Sequence, residues 1–251
     1  MSAATPSTHG RYAGNGAAAR HEQWLDHTRV FLQPIAAPSI LGLFGLAGAT
    51  FMVGAHMAGW YGGPRSDMYL FPFAAMFGGV AQFAAGLWAY KARDGLATAM
   101  HGMWGSFWIA FGILNLLAAV HALVLPMGGT FTEFGYWFLV LAVITGFGTI
   151  AALGENLAVT AVLGTLAVGA AFAAVFNLVG GTGWERAAGW VLIASAIFAT
   201  YTAGALMIAG TWGRGLLPVG EMRKASKELP GRRAIDALEY EFGEPGVKQG
   251  Q

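Results

Sequence analysis

Between Pro38 and Gly210 the chain alternates six long apolar stretches with short polar connections, and no Lys, Arg, Asp or Glu lies deep inside a stretch. Each stretch is long enough to cross the hydrocarbon core of a bilayer, which takes about 20 mostly apolar residues as a helix. Lipid offers the backbone no hydrogen bonds, so only helices and closed barrels span it. The stretches are unbroken apolar runs and lack the in/out alternation of barrel strands. The pattern therefore predicts an all-α, polytopic membrane protein with six transmembrane helices. The spans are expected near Pro38–Trp60, Met68–Tyr90, Leu96–Val124, Phe131–Leu153, Asn156–Val179 and Trp184–Gly210. Turn-forming residues punctuate the gaps: Gly62-Gly63-Pro64, Lys91 to Gly95, Pro126 to Gly129, Gly154-Glu155-Asn156 and Gly180 to Gly183. Trp60, Tyr61, Trp88, Tyr90, Tyr136, Trp137, Trp184 and Trp190 fall near the ends, where interfacial aromatics belong.

Three regions follow: a cytoplasmic N-terminal segment (1–35), a transmembrane domain (36–212) and a cytoplasmic C-terminal tail (213–251). The polar lead of about 35 residues is not the layout of a cleavable signal peptide. Within it, Ala17 to Leu32 reads as a short amphipathic helix with Trp24, Leu25, Thr28, Phe31 and Leu32 on one face. Such a helix either lies in the membrane interface or docks on the protein itself. The tail is polar and broken by Pro230, Gly231, Pro245 and Gly246, a composition of partly helical and partly disordered chain.

Six spans place both termini on one side. That side carries Arg11, Arg20, Arg29, Lys91, Arg93, Arg214, Arg223, Lys224, Lys227, Arg232, Arg233 and Lys248; the opposite loops carry Arg65 and Arg186. The positive-inside rule makes both termini cytoplasmic, as for a multi-pass protein of the plasma (cell inner) membrane.

Composition narrows the chemistry. Charged residues make up 11% of the chain, against about 25% in soluble domains. The 38 glycines suit membrane helices, where small residues let backbones approach closely. Without cysteine there are no disulfides, thiolate metal sites or Cys nucleophiles. A net charge of +1 gives nucleic acid no electrostatic purchase. Nucleotide loops, G-x-S-x-G and H-E-x-x-H are absent, so no enzyme, catalytic residue, metal or cofactor is expected.

What remains inside the spans is polar but neutral. Gln82 sits mid-span, with Gly78 and Gly86 at intervals of four on its face of a regular helix. Asn115 lies mid-span three and Asn177 near the end of span five, while Thr50, Ser106, Thr145, Thr165 and Ser195 add hydroxyls. Such groups either line a path for a small polar solute or join helices by hydrogen bonds. His56, His101 and His121 are the histidines expected to be buried. His56 and His101 read either as proton-sensitive groups or as neutral, hydrogen-bonded histidines near the membrane boundary. Retinal chemistry is excluded for want of an intramembrane Lys.

Several segments carry a family resemblance. Ala37-Pro38-Ser39-Ile40-Leu41-Gly42-Leu43 is similar to a signature N-P-A-P-L-G-L, and Gly78-Gly79-Val80-Ala81-Gln82-Phe83-Ala84-Ala85-Gly86 to G-G-I-A-Q-x-x-A-G. Tyr90-Lys91 resembles the end of E-Y-K/R, Gly105-Ser106-Phe107-Trp108 resembles part of Y-G-S-F-W, and Gly213 to Glu221 resembles a C-terminal segment. Together, in order from about residue 36 to 221, they resemble the acetate uptake transporter family, described as acetate/succinate–proton symporters or acetate channels. The signature's Asn is Ala37 and its second Pro is Ile40; the Glu before Tyr-Lys is Ala89.

The resemblance implies a six-helix protomer with its own pore, assembled as a ring-shaped homohexamer. Its apolar constriction of Phe, Tyr and Leu falls on Leu46, Trp104 and Leu166, and a following Thr on Ala167. Its substrate path falls on Pro38, Leu41, Gly42, Gln82, His101 and Ser106. The expected function is a channel or proton-coupled transporter in the lipid bilayer for acetate and similar small monocarboxylates. Two alternatives stand beside it: a non-conducting structural or regulatory membrane protein on the same scaffold, and a transporter of another small solute such as ammonia or succinate.

Overall fold

The computed structural model describes residues 35–63, 66–124, 126 and 130–220. The amphipathic helix expected over Ala17–Leu32 and the tail beyond Gly220 lie outside them. The described residues hold no strand. Helix α1 is Pro38–Met57. Helix α2 runs through three continuous segments, Ser66–Ala74, a π-helical Ala75–Ala81 and Gln82–Ala92. It is followed by α3 (Gly95–Ala119), α4 (Thr132–Ala152), α5 (Leu157–Val179) and α6 (Thr182–Trp212). All six are long and apolar enough to cross a membrane, and the chain is a multi-pass membrane protein.

Local chemistry sets the helix ends. Pro38 opens α1, where a missing N–H costs nothing. Asp94 caps α3 by accepting from the Ala97 amide at 2.8 Å, straight after Arg93 ends α2 in the left-handed region. Gly180 and Gly181, with φ of 79° and 99°, make the reversal between α5 and α6 that a residue with a Cβ would resist. Helix α3 stops at Ala119, short of the expected Val124, because His121 turns left-handed at φ 58°. Asn115 therefore sits near the end of α3 and not at mid-span, and His121 is exposed, contrary to the expectation that it is buried. Within α2, Pro72 removes one helical donor, and the π segment begins three residues later. The regular four-residue spacing of Gly78 and Gln82 is thus interrupted, although Gly78, Gln82 and Gly86 are all buried.

Each helix packs on its neighbour in sequence, and α6 returns to pack on α1, so the six close a ring. The α3–α4 seam is the sparsest. Elsewhere the seams are made by small residues. A Cβ on Gly45 would strike the Phe77 carbonyl, and one on Gly189 would strike the Ala58 amide. On Gly78 it would fall 2.6 Å from the Trp108 ring, and on Gly86 2.7 Å from the Gly102 nitrogen.

On the side of the termini, the chain after α6 turns back. Gly220 and Val219 carbonyls accept from the Leu157 and Ala158 amides at 2.9 and 3.0 Å, and the Tyr201 hydroxyl donates to the Pro218 carbonyl at 2.8 Å. Asn156 accepts from the Val159 amide at 2.9 Å, so the first turn of α5 has its donors satisfied within the chain. Beside it, partial burial and then the neighbouring Asp94 carboxylate push Glu155 above the ordinary value of 4.5.

Two predictions follow from these contacts. Gly86→Ala should destabilise the fold by about 1–3 kcal/mol through overpacking. Gly102→Ala, with nothing within 4 Å of its new methyl, should be neutral or stabilising through helix propensity. Thermal unfolding in detergent distinguishes them, and equal losses would refute the role given to the close approach. For Glu155 the sign runs with its raised value: the folded state holds the proton more tightly. Its contribution is therefore complete below 4.5 and is lost as pH rises through the raised value. Glu155→Gln should melt above the parent at pH 7 and level with it near pH 4. An advantage that persists unchanged at pH 4 would contradict this.

Candidate functional site

Helices α1, α3 and α5 all start on the side of the termini. Leu46 lies eight residues into α1, Trp104 nine into α3 and Leu166 nine into α5. At 1.5 Å per residue that is a shared depth of about 12–14 Å. The three side chains are 2%, 2% and 0% exposed and belong to one buried apolar cluster. The three residues that the resemblance assigned to a constriction are thus members of one buried cluster. The Trp104 indole Nε1 donates to Thr145 Oγ1 on α4 at 2.9 Å, and that hydroxyl donates to the Leu141 carbonyl at 2.7 Å.

On the loop side of this layer is a cavity of about 150 Å³, with Trp104 in its wall. That is room for several waters or a small solute. Its aromatic wall comes chiefly from the sparse α3–α4 seam: Phe107, Trp108, Phe111, Phe131, Phe134 and Phe138. Phe107 stacks on Phe134 at 5.9 Å and packs on Phe138 at 5.2 Å. The polar groups on the wall are Thr50, His56, Asn115, Asn177 and Glu185. The sequence reading missed this aromatic cup. Its one signal is the four-residue spacing of Phe107 with Phe111 and of Phe134 with Phe138 on successive spans, which inside an apolar run looks like ordinary packing.

Several buried polar atoms have no hydrogen-bond partner among the described residues: Thr50 Oγ1, Gln82 Oε1, His101 Nδ1, Trp108 Nε1 and Asn177 Oδ1. Thr50, Trp108 and Asn177 line the cavity. Gln82, 1% exposed, lies ten residues from the end of α2, close to the depth of the apolar layer, and its Cβ faces Gly45 on α1. His101 is one turn nearer the termini than Trp104. Its ring occupies the place of a Cβ on Gly42, and its Nε2 lies 3.3 Å from Ser39 Oγ, next to Pro38. Buried polar groups are almost always paired, so a group of unpaired ones at the depth of the apolar layer and on both sides of it is a feature to be explained.

Other polar candidates are occupied. The hydroxyls of Ser106, Thr145 and Thr165 donate back to Gly102, Leu141 and Ala161 carbonyls of their own helices, and Ser195 donates across to the Val162 carbonyl on α5. Ser106 is exposed and Leu41 is 49% exposed. The structure does not bring these two to the cavity or the buried layer. Among the described residues no three His or acidic side chains converge to hold a metal ion.

This architecture matches known proteins along most of its length. The sequence profile of the GPR1/FUN34/yaaH family matches residues 25–220. The chain belongs to the GPR1/FUN34/yaaH family. One relative is the succinate-acetate/proton symporter SatP of Escherichia coli (strain K12), 27% identical over 74% of this chain and 96% of that protein. Another is the acetate transporter protein patA of Aspergillus clavatus, 28% identical over 70% of this chain and 74% of that one. Among solved structures, the bacterial acetate channel SatP superposes with a TM-score of 0.68 at 25% identity. That match covers 74% of this chain and 100% of that one. The family match ends at Gly220, where the returning segment is bonded to α5.

One prediction concerns stability alone. Removing an unpaired buried polar atom relieves a desolvation cost of about 1–3 kcal/mol. Gln82→Leu should therefore keep or raise the unfolding temperature in detergent, despite its central position. A large drop would mean that Gln82 is hydrogen-bonded and structural.

Proposed function

We propose that this chain is a channel or proton-coupled carrier for acetate and similar small monocarboxylates, with a pore through the ring of each protomer. The observation that carries the reading is the arrangement of unpaired polar atoms around an apolar layer. In it, Leu46, Trp104 and Leu166 form the constriction. Gly42, His101 and Pro38 lie on the path on the side of the termini, Gln82 at the depth of the constriction, and Thr50 and Trp108 on the path from the loop side. The names of the relatives support the substrate class and the reading as a transporter, not an enzyme. The charge distribution supports both termini in the cytoplasm, with the protein in the plasma (cell inner) membrane. The regions 1–35, 36–212 and 213–251 are its N-terminal segment, membrane domain and tail. Its glycine-rich helices suit assembly as a homohexamer.

Glu185 lines the cavity at the start of α6, but among the described residues no Lys, Arg, Asp or Glu lies deep within a span, and this shapes the mechanism. A bare anion at the centre of a membrane helix costs about 2.5–3.5 kcal/mol on insertion scales, and no Lys or Arg lies deep in a described span to offset it. Unpaired donors and acceptors meet the carboxyl group before and after the apolar layer, so its desolvation is confined to a short distance. Apolar constrictions of this kind gate by dewetting.

Labelled-acetate uptake into proteoliposomes tests the reading, at matched pH and with an inward proton gradient, each against protein-free vesicles. Protein-dependent flux is expected. Accumulation driven by the gradient marks a carrier, and faster equilibration alone marks a channel. Trp104→Ala should speed acetate about tenfold, equivalent to a barrier lower by about 1.4 kcal/mol, and should raise the butyrate-to-acetate ratio above the parent's. An unchanged rate and size preference would remove Trp104 from the constriction.

A further inference from the structure

We infer that Thr145 on α4 is a positioning residue that sets the size selectivity of the pore by holding the Trp104 indole in place across the α3–α4 seam. The inference rests on the reading of Leu46, Trp104 and Leu166 as the constriction.

An indole has one N–H to donate and accepts nothing. Trp104 is 2% exposed, so a rotamer that turned its N–H from an acceptor would leave a donor unpaired in apolar surroundings. Thr145 Oγ1, wholly buried, accepts that N–H at 2.9 Å. The hydroxyl's own hydrogen is committed to the Leu141 carbonyl at 2.7 Å. A lone pair therefore faces the indole, and the chain Trp104 to Thr145 to Leu141 has a single direction. The threonine is β-branched and stiff at χ1, which fixes where the acceptor sits.

The location adds a second observation. Helices α3 and α4 share the sparsest seam of the ring, yet Trp104 reaches across it at the depth of the proposed constriction. The donor left unpaired nearby, Trp108 Nε1, shows that indole N–H groups in this protein are not all tied down. The tie at Trp104 is thus specific to the ring that narrows the pore. Its orientation decides how much of the lumen the indole fills, and so which acyl chains pass beside Leu46 and Leu166.

The test uses full-length protein in proteoliposomes, with initial rates of labelled acetate and butyrate for the parent, Thr145→Val, Thr145→Ser, Trp104→Phe and the Thr145→Val/Trp104→Phe pair. Thr145→Val keeps the shape and removes the acceptor; it should shift the butyrate-to-acetate ratio about fivefold, the factor of one hydrogen bond. Thr145→Ser should restore the parental ratio. In the Trp104→Phe background there is no N–H to hold, so Thr145→Val should cause no further shift. A merely structural threonine would shift both backgrounds alike. Nitrogen-15 spectra of indole-labelled protein give a readout without flux. The Trp104 N–H resonance, assigned by its loss in Trp104→Phe, should move in Thr145→Val and not in Thr145→Ser. An unmoved resonance, an unchanged ratio, or equal shifts in both backgrounds overturns the inference. If Trp104→Ala still alters selectivity in that case, the constriction stands and only Thr145 loses its role. A parent without protein-dependent acetate flux overturns both.

Discussion

The closure of the ring by backbone contact is the constraint on which the rest of this structure depends. Gly189 on α6 lies against the Ala58 amide and the Gly54 carbonyl, and Gly45 on α1 lies against the Phe77 carbonyl of the π segment. Lipid tails are as apolar as leucine, so helices gain little by burying large apolar side chains against one another. Close packing of small residues replaces that driving force. It also draws the helices close around a buried apolar cluster that includes Leu46, Trp104 and Leu166. A wider ring would leave an aqueous lumen, and a ring without glycines at these seams would not close.

A closed apolar centre poses an energetic question for a carboxylate. Protonating a carboxyl group of pKa about 4.3 at pH 7 costs about 3.7 kcal/mol. Passing it charged costs about 2.5–3.5 kcal/mol or more. The two costs are of the same size. Small changes in hydration or polar contact therefore tip the balance between passage as an anion and passage with a proton. On the proposed path, the unpaired Thr50, Gln82, His101 and Trp108 atoms would make such changes. In the same setting a fixed positive charge would bind the anion and slow its release, so neutral donors suit throughput better than a lysine or arginine.

The spans and their order are legible in the sequence because an uninterrupted apolar run of this length has one structural solution in lipid. What the runs hide is how each helix is set against its neighbours. Pro72 marks the break in α2, but the π segment over Ala75–Ala81 that follows it cannot be read from alternation or spacing. Leu46, Trp104 and Leu166 come to equal depth because their helices start on one side, which spacing within each span does encode. Which hydroxyls are spent on their own helix, as in Thr165, and which stay unpaired, as in Thr50, depends on rotamers and neighbours. Leu41 and Ser106 show the limit of motif transfer: both stand in matching segments, yet both face outward.

The departures of this chain from its family pattern compensate one another physically. Where the resemblance puts Phe and Tyr in a constriction, this chain has Leu46 and Trp104. A smaller group on α1 and a larger one on α3 share one buried cluster, and swaps that conserve total volume are the ones packed interiors tolerate. The polar change is not neutral in the same way. A tyrosine hydroxyl donates and accepts, whereas an indole only donates. The residue behind it must then be an acceptor, and Thr145, with its hydrogen sent to Leu141, meets that demand. The volume is nearly conserved while the hydrogen bonding is made one-way, so the Trp104 indole is anchored to α4 where a tyrosine would be free to bond on either side. If Trp104 lines the constriction as proposed, the size selectivity rests on this one hydrogen bond across the sparsest seam of the ring.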